Sequence, residues 1–382
     1  MTVGARIQAL VDKADFLPLP EVAHLCAGGE TPILRSHSEA VARFFDLKSR
    51  GMTGREQGLM GILAAGRQRA GKLLGVPADD IAFLSSASEG INQLGNWLDW
   101  QPGDNVVVED IEFPSGIYPW VRLRERGVEV RVVRQSGDTP TLARIAAAMD
   151  DRTRILATSQ VSYLTGRRYD LADLAALARR HGSLLSVDAT HAAGVVPVAA
   201  QHADILVSSC YKFLLAVHGA AIFYRNPARL AGLEPLSVGW HSIGSRHTVA
   251  APTDFTLNSA AARFEAGNPP FMAVAVLENA LRYLDAIGIE RIEQHVLALG
   301  DILWHSLRDR GFELLTPEDA ASRGPNVCFA WDDTAGLVGA LAERNVLIWG
   351  SDGRIRISLH AYNDQDDIDR LLEGLDAVRS GR

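Results

Sequence analysis

A chain of 382 residues, 47% hydrophobic and 22% charged, has an ordinary globular composition but is too long for one compact core, so two domains are expected. Its net charge of −8 argues against a nucleic-acid partner, and its longer apolar runs, such as residues 271–277, are too short to cross a bilayer. Three cysteines, Cys26, Cys210 and Cys328, without paired spacing point to a reducing cytoplasm and away from a disulfide framework or a zinc site.

The first 16 residues carry acidic side chains and lack the apolar stretch of a signal peptide. Residues 57–74 predict a helix with Leu59, Ile62, Leu63, Leu73 and Leu74 as its apolar stripe. Short β-branched runs then predict strands at 81–84, 106–108, 128–133, 155–158, 184–187, 205–208 and 220–223, with helices at 142–149 and 171–180 between some of them. Strands separated by helices imply crossover connections, hence an α/β domain with a mainly parallel seven-stranded sheet whose ligands sit at the strands' carboxyl ends. After Pro269 and Pro270 the pattern changes to long helices at 271–287 and 293–310, followed by strands at 326–331 and 354–358. This predicts an N-terminal segment 1–18, a large domain 19–262 and a smaller α+β domain 263–382.

The chemistry concentrates around two residues. Asp188 directly follows an apolar strand, and a carboxylate at a strand's carboxyl end can pair with a protonated pyridine nitrogen. Lys212 follows the next strand, where shelter from water disfavours its charged form and frees the amine for a Schiff base. Taken singly, Asp188 reads as a strand-end cap and Lys212 as a surface side chain; together they make those readings improbable. A third segment, residues 83–92, runs from a strand into a helix starting near Ser88, and a helix N-terminus suits a phosphate or a plain N-cap equally. Arg356, and Arg354 on the same strand face, can each offer a bidentate guanidinium to a carboxylate.

These residues resemble the class V aminotransferase family of pyridoxal-phosphate enzymes, which includes cysteine desulfurases, kynureninases and isopenicillin-N-epimerase-like proteins. The family pattern of Asp-x-x-His followed by Ser-x-Tyr-Lys stands here as Asp188 and His191, then Ser209, Tyr211 and Lys212, and the likeness spans about residues 25–375. The resemblance implies the fold type I architecture and pyridoxal 5'-phosphate bound as a Schiff base to Lys212, with Asp188 as the pyridinium partner. It implies that His191 bonds the ring oxygen, that Phe113 stacks on the ring, and that Ala87, Ser88, Ser209 and Tyr211 hold the phosphate. It implies Arg356 as the carboxylate anchor of an α-amino acid, with Arg354 as the competitor for that role. Asn268, in a stretch like the family's Arg-Phe-Glu-Ala-Gly-Thr-Pro, would reach the partner subunit's cofactor, so a homodimer is implied.

Three departures narrow the reaction. Desulfurases carry a nucleophilic cysteine shortly before the anchoring arginine, and residues 346–353 contain none, which disfavours desulfuration. Gly116 stands where kynureninases have an acidic residue, and Tyr163 stands where desulfurases have an asparagine near the cofactor. The preferred expectation is an aminotransferase-like activity, a preference resting on the family name. A Cβ-lyase (C–S lyase or kynureninase-like) or an amino-acid epimerase is the alternative. A non-catalytic cofactor-binding protein is disfavoured by the presence of both Lys212 and Asp188. Residues 66–72 approach a phosphate-binding P-loop, but they lack its Ser/Thr and fall inside a helix.

Overall fold

The computed structural model describes residues 6–17, 21–135, 141–244 and 253–381. Its chain order begins with three two-residue strands, β1 (Phe16–Leu17), β2 (Ala23–His24) and β3 (Ile33–Leu34), then α1 (His37–Ser49), α2 (Gly51–Gly54) and α3 (Met60–Leu74). The central elements are β4 (Ile81–Leu84), α4 (Ala87–Trp97), β5 (Asn105–Glu109), α5 (Tyr118–Val121), β6 (Glu129–Val133), α6 (Thr141–Ala148), β7 (Thr153–Ser159), α7 (Leu171–Arg180), β8 (Leu184–Asp188), β9 (Ile205–Ser209) and β10 (Ala221–Arg225). The last part holds α8 (Phe271–Ile287), α9 (Ile289–Asp309), β11 (Asn326–Ala330), α10 (Thr334–Ala342), β12 (Val346–Leu347), β13 (Trp349–Ser351), β14 (Arg354–Ser358) and α11 (Gln365–Ser380).

Seven strands form one sheet in the order β4-β10-β9-β8-β7-β5-β6. Only β10 runs against the rest, so the expected mainly parallel seven-stranded sheet is present. Alternation along the strands feeds a core on each face: Val106 and Val108 pack with Trp120 and Leu94 on one side, Val107 with Leu156 and Leu206 on the other. The P-loop-like residues 66–72 lie within α3, which ends at Gly75 with φ +70. The helix read as 57–74 starts its α-helical part only at Met60, because Arg55–Leu59 widens into a π-turn.

A three-stranded antiparallel sheet, β11-β14-β13, forms a second unit. The N-terminal stretch runs along it: β2 pairs in parallel with β12, and Ser358 N donates to Leu25 O at 2.8 Å. This path carries residues 26–29 to the carboxyl ends of the large sheet. Among the described residues no helix is long and apolar enough to cross a membrane.

Candidate active site

Each main-sheet strand that feeds the site delivers its residue just beyond its carboxyl end, where turning backbone leaves side chains and N–H groups unclaimed by the ladder. A cleft there is lined by Ala87 and Ser88 after β4, Phe113 after β5, Ser159 on β7, Asp188 and His191 at and after β8, and Ser209, Tyr211 and Lys212 at and after β9. The sequence-predicted residues of the first wall are therefore brought together. Lys212 is 8% exposed, with Nζ 3.4 Å from His191 Nε2 and 5.3 Å from the Phe113 ring centroid. Burial, then the positive charge of Arg356, lowers the Lys212 amine to about 8, against the pull of Asp188.

Asp188 accepts from Thr190 N at 2.8 Å, and burial raises its carboxyl above the ordinary value. Among the described residues no cation pairs with it within ion-pair distance. A half-buried carboxylate with no cation of its own suits a protonated pyridine ring. His191 is 5% exposed; burial, then Lys212 and Arg356, hold it well below its usual value, so the ring is neutral. In this orientation Asn326 Nδ2 donates to His191 Nδ1 at 3.1 Å, leaving the imidazole proton on Nε2, the nitrogen that faces Lys212.

Helix α4 begins at Ala87, one residue earlier than expected, with Ser86 as N-cap accepting from Glu89 N at 3.2 Å. The first-turn N–H groups of Ala87 and Ser88 precede the helix's own acceptors and border the cleft, and Ser88 Oγ donates to Ser115 Oγ at 2.8 Å. Tyr211 stacks on His218 with centroids 4.0 Å apart. Asn268 does not join this cleft; it accepts from Arg55 at 2.8 Å in a separate groove with Phe44, Met52 and His218.

The opposite wall comes from the second sheet. Arg356 is 3% exposed; one guanidinium nitrogen donates to Tyr163 O at 3.1 Å, the guanidinium carbon lies 4.4 Å from the Trp349 ring centroid, and Nε has no partner. No carboxylate among the described residues forms an ion pair with it. A buried guanidinium without an anion is a carboxylate-binding group in waiting. Arg354 is only partly buried, which favours Arg356 of the two as anchor. Tyr163 serves through its carbonyl, and its ring meets Phe113 edge-on at 5.3 Å.

Sequence reasoning missed several of these neighbours. A Cβ on Gly28 would stand 2.7 Å from Ser358 Oγ, 2.8 Å from His191 Cε1 and 3.1 Å from Arg356 Nε, so only glycine keeps both walls in place. The Gly28-Gly29 doublet was its one visible signal. Asn326 and Trp349 gave none, since each reaches the site by strand pairing. Cys26, read only as an unpaired thiol, lies beside this wall, with Sγ 3.0 Å from where a Cβ on Gly29 would be. Burial raises its pKa and keeps it a thiol. Cys328 lies fully buried in β11, its thiol pushed up to about 12.

The amine, the unpaired carboxylate, the exposed aromatic face and the helix N-terminus match, group for group, an aldehyde, a pyridinium, a ring face and a phosphate. A family model described as aminotransferase class-V matches residues 31–371. A cysteine desulfurase of Salmonella choleraesuis is 32% identical over 331 residues, covering 79% of this chain and 78% of that one. A probable cysteine desulfurase of Methanothermobacter thermautotrophicus is 28% identical over 344 residues, 83% of each chain. Among solved structures, the apo cysteine desulfurase of Thermococcus onnurineus aligns with TM-score 0.87 at 21% identity, covering 97% of this chain and 98% of that one. The cystine C–S lyase C-DES, in complex with cysteine persulfide, aligns with TM-score 0.85 at 22% identity, covering 94% and 98%.

Proposed function

Since this chain belongs to the class-V aminotransferase family and so works with pyridoxal phosphate, we propose that it is an enzyme that breaks the Cβ–S bond of a sulfur-bearing α-amino acid. The observation that carries the amino-acid part is the buried Arg356, which has no anion among the described residues and whose charge reaches Lys212. When bound, the cofactor supplies an electron sink for the pair left at the substrate's α-carbon. Lys212 holds the cofactor and, once displaced by the substrate amine, takes the α-proton, a task suited to an amine near 8. Asp188 keeps the ring nitrogen protonated, His191 donates through Nε2, Phe113 covers a ring face, and Ala87, Ser88, Ser209 and Tyr211 hold the phosphate. Arg356 fixes the substrate carboxylate, so that the α-C–H bond is presented to Lys212 and not to water.

The reaction type draws on the relatives, which are named for desulfuration, and on where thiols stand. Residues 346–353 carry no cysteine, and Cys26 is kept protonated by burial, so sulfur leaves with no enzyme thiol ready to take it. Incubation with L-cysteine and L-cystine should release pyruvate, ammonia and a sulfur species, with no protein-bound persulfide. Alanine with sulfur retained on the protein would replace this reading by desulfuration. Transamination, the reading preferred from the sequence, uses the same groups and would give a 2-oxo acid that keeps its sulfur. A homodimer completed through Asn268, and a cytoplasmic setting that suits three free thiols, belong to the same proposal. Full activity in a chain shown to be monomeric at assay concentration would remove the dimer.

A further inference from the structure

Directly behind the cleft lies a carboxyl that the chemistry above does not use. Glu112, next to Phe113, is 5% exposed; it accepts from Ser159 N at 2.7 Å, lies 2.5 Å from Ser159 Oγ, and has Thr158 Oγ1 at 3.3 Å. Ser159 ends β7 in register with Asp188 and lines the cleft. Beyond Thr158 sits Glu109, wholly buried, which accepts from Thr158 Oγ1 at 2.9 Å, from the Tyr169 hydroxyl at 2.5 Å and from the Gln135 amide.

Two buried carboxyls, Glu109 and Glu112, thus share one wall with the half-buried Asp188. The charged groups facing it are Lys212 across Asp188, Arg167 and Asp110 near Glu109, and Arg354, Asp352 and Arg356 beyond Tyr163. Among the described residues none forms an ion pair with Glu112. Glu109 and Glu112 are buried beside each other with no cation of the described residues in ion-pair contact, so at least one of the two holds a proton. Glu109 has two hydroxyls and an amide supporting its charge, and Asp188 faces the cofactor's cationic ring. Glu112 is left, with one backbone N–H and one full-strength hydroxyl contact, and its 2.5 Å approach to Ser159 Oγ accommodates a proton on either oxygen.

We propose that Glu112 is a neutral carboxylic acid that accepts from Ser159 N and donates to Ser159 Oγ, turning the Ser159 hydroxyl hydrogen into the cofactor cleft. Glu112 is then a positioning residue that acts through Ser159. Burial, then the charges of Glu109 and Asp188, raise its carboxyl to about 8, in the same direction. Gly116 supports the arrangement: a Cβ there would stand 3.3 Å from Glu112 Oε2, and the absence of an acidic side chain at this position spares the wall a fourth carboxyl. The cofactor assignment enters only in naming what Ser159 faces, so the test begins on the cofactor-free chain.

Glu112→Gln copies one acceptor and one donor and so mimics the neutral acid; Glu112→Ala does not. In the folded chain the proton is held up to about pH 8, whereas unfolded it is lost near the ordinary value of 4.5. The folded state therefore binds more protons between these values, and stability present below about 4.5 is lost as pH rises towards 8. Relative to the wild type, the Gln variant should gain in melting temperature progressively from pH ~5 to pH ~8. Infrared difference spectra of the wild type should show a protonated-carboxyl band at pH ~6 that disappears through about 8 and is missing in the Gln variant. With cofactor added, Ser159→Ala should add nothing to the effect of Glu112→Ala on borohydride-trapped cofactor. Absence of that band in the wild type at pH ~6 would overturn the proposal. So would a Gln variant that fails to fold, or that melts like the Ala variant, because an amide cannot replace an ionised acceptor of two donors.

Discussion

On one side of the cleft, Asp188, His191 and Lys212 hang from the carboxyl ends of two adjacent strands, within a short stretch of sequence. On the other side, Arg356 is held by Tyr163 O, stacked on Trp349 and given room by Gly28, three residues far apart in the chain. The first wall is supported by ladder bonds of a doubly covered sheet, so its geometry follows from strand ends alone. The second depends on how a separate three-stranded sheet and an N-terminal segment seat against the first. The Lys212 side is thus locally encoded, whereas the Arg356 side is encoded in packing, and under the proposed function changes distant in sequence should affect substrate more than cofactor.

The largest expected effect is on the first wall. Lys212→Ala should abolish borohydride-trapped cofactor and slow turnover by about 10²–10⁴-fold, the usual scale for losing a positioned proton carrier. Trapping retained in this variant would show that another amine holds the cofactor. Next, Arg356→Ala should cost about 2–4 kcal/mol in kcat/KM, with cofactor retention nearly unchanged. An unaltered kcat/KM would move the anchor to Arg354. Gly28→Ala should cost about 1–3 kcal/mol by overpacking, again seen in kcat/KM before cofactor retention. If cofactor retention falls first, the separation between the two walls fails.

Smaller effects test the coupling between the walls. Reconstitution of the cofactor-free chain should accelerate as pH rises to about 8 and then level off, as the Lys212 amine loses its proton. Because the Arg356 charge is, after burial, a cause of that lowering, Arg356→Ala should move the profile towards higher pH. A profile that does not move would mean burial alone sets the amine. Smallest, Asn326→Ala should cost about 1–2 kcal/mol, seen as weaker cofactor retention once His191 loses the bond that orients its ring. Full retention would show that packing against Phe213 orients the imidazole instead.

Much of this molecule could be read from residue order. Strands β4 to β10 follow β-branched runs, and α7 to α9 follow apolar spacing, because a buried sheet and an amphipathic helix impose those patterns directly. Helix α10 went unread since residues 334–342 are apolar on every side and offer no stripe, although only Leu337 and Leu341 are buried. Helix α1 went unread for the opposite reason, with most of its side chains polar or exposed. The short strands β2, β12 and β13 have too few residues to carry a period and exist only because a partner pairs with them.

The sequence by itself determined the parallel sheet, the Asp188 and Lys212 positions at strand ends and a helix N-terminus within one residue of Ser88, since each depends on residues adjacent along one or two strands. Only the tertiary structure decided that Arg356 and not Arg354 is buried, that Gly28 must lack a side chain, and that Glu112 shares a wall with Glu109 and Asp188. Those outcomes depend on desolvation and on distances between segments far apart in sequence, and neither quantity is carried by the order of residues in any one segment.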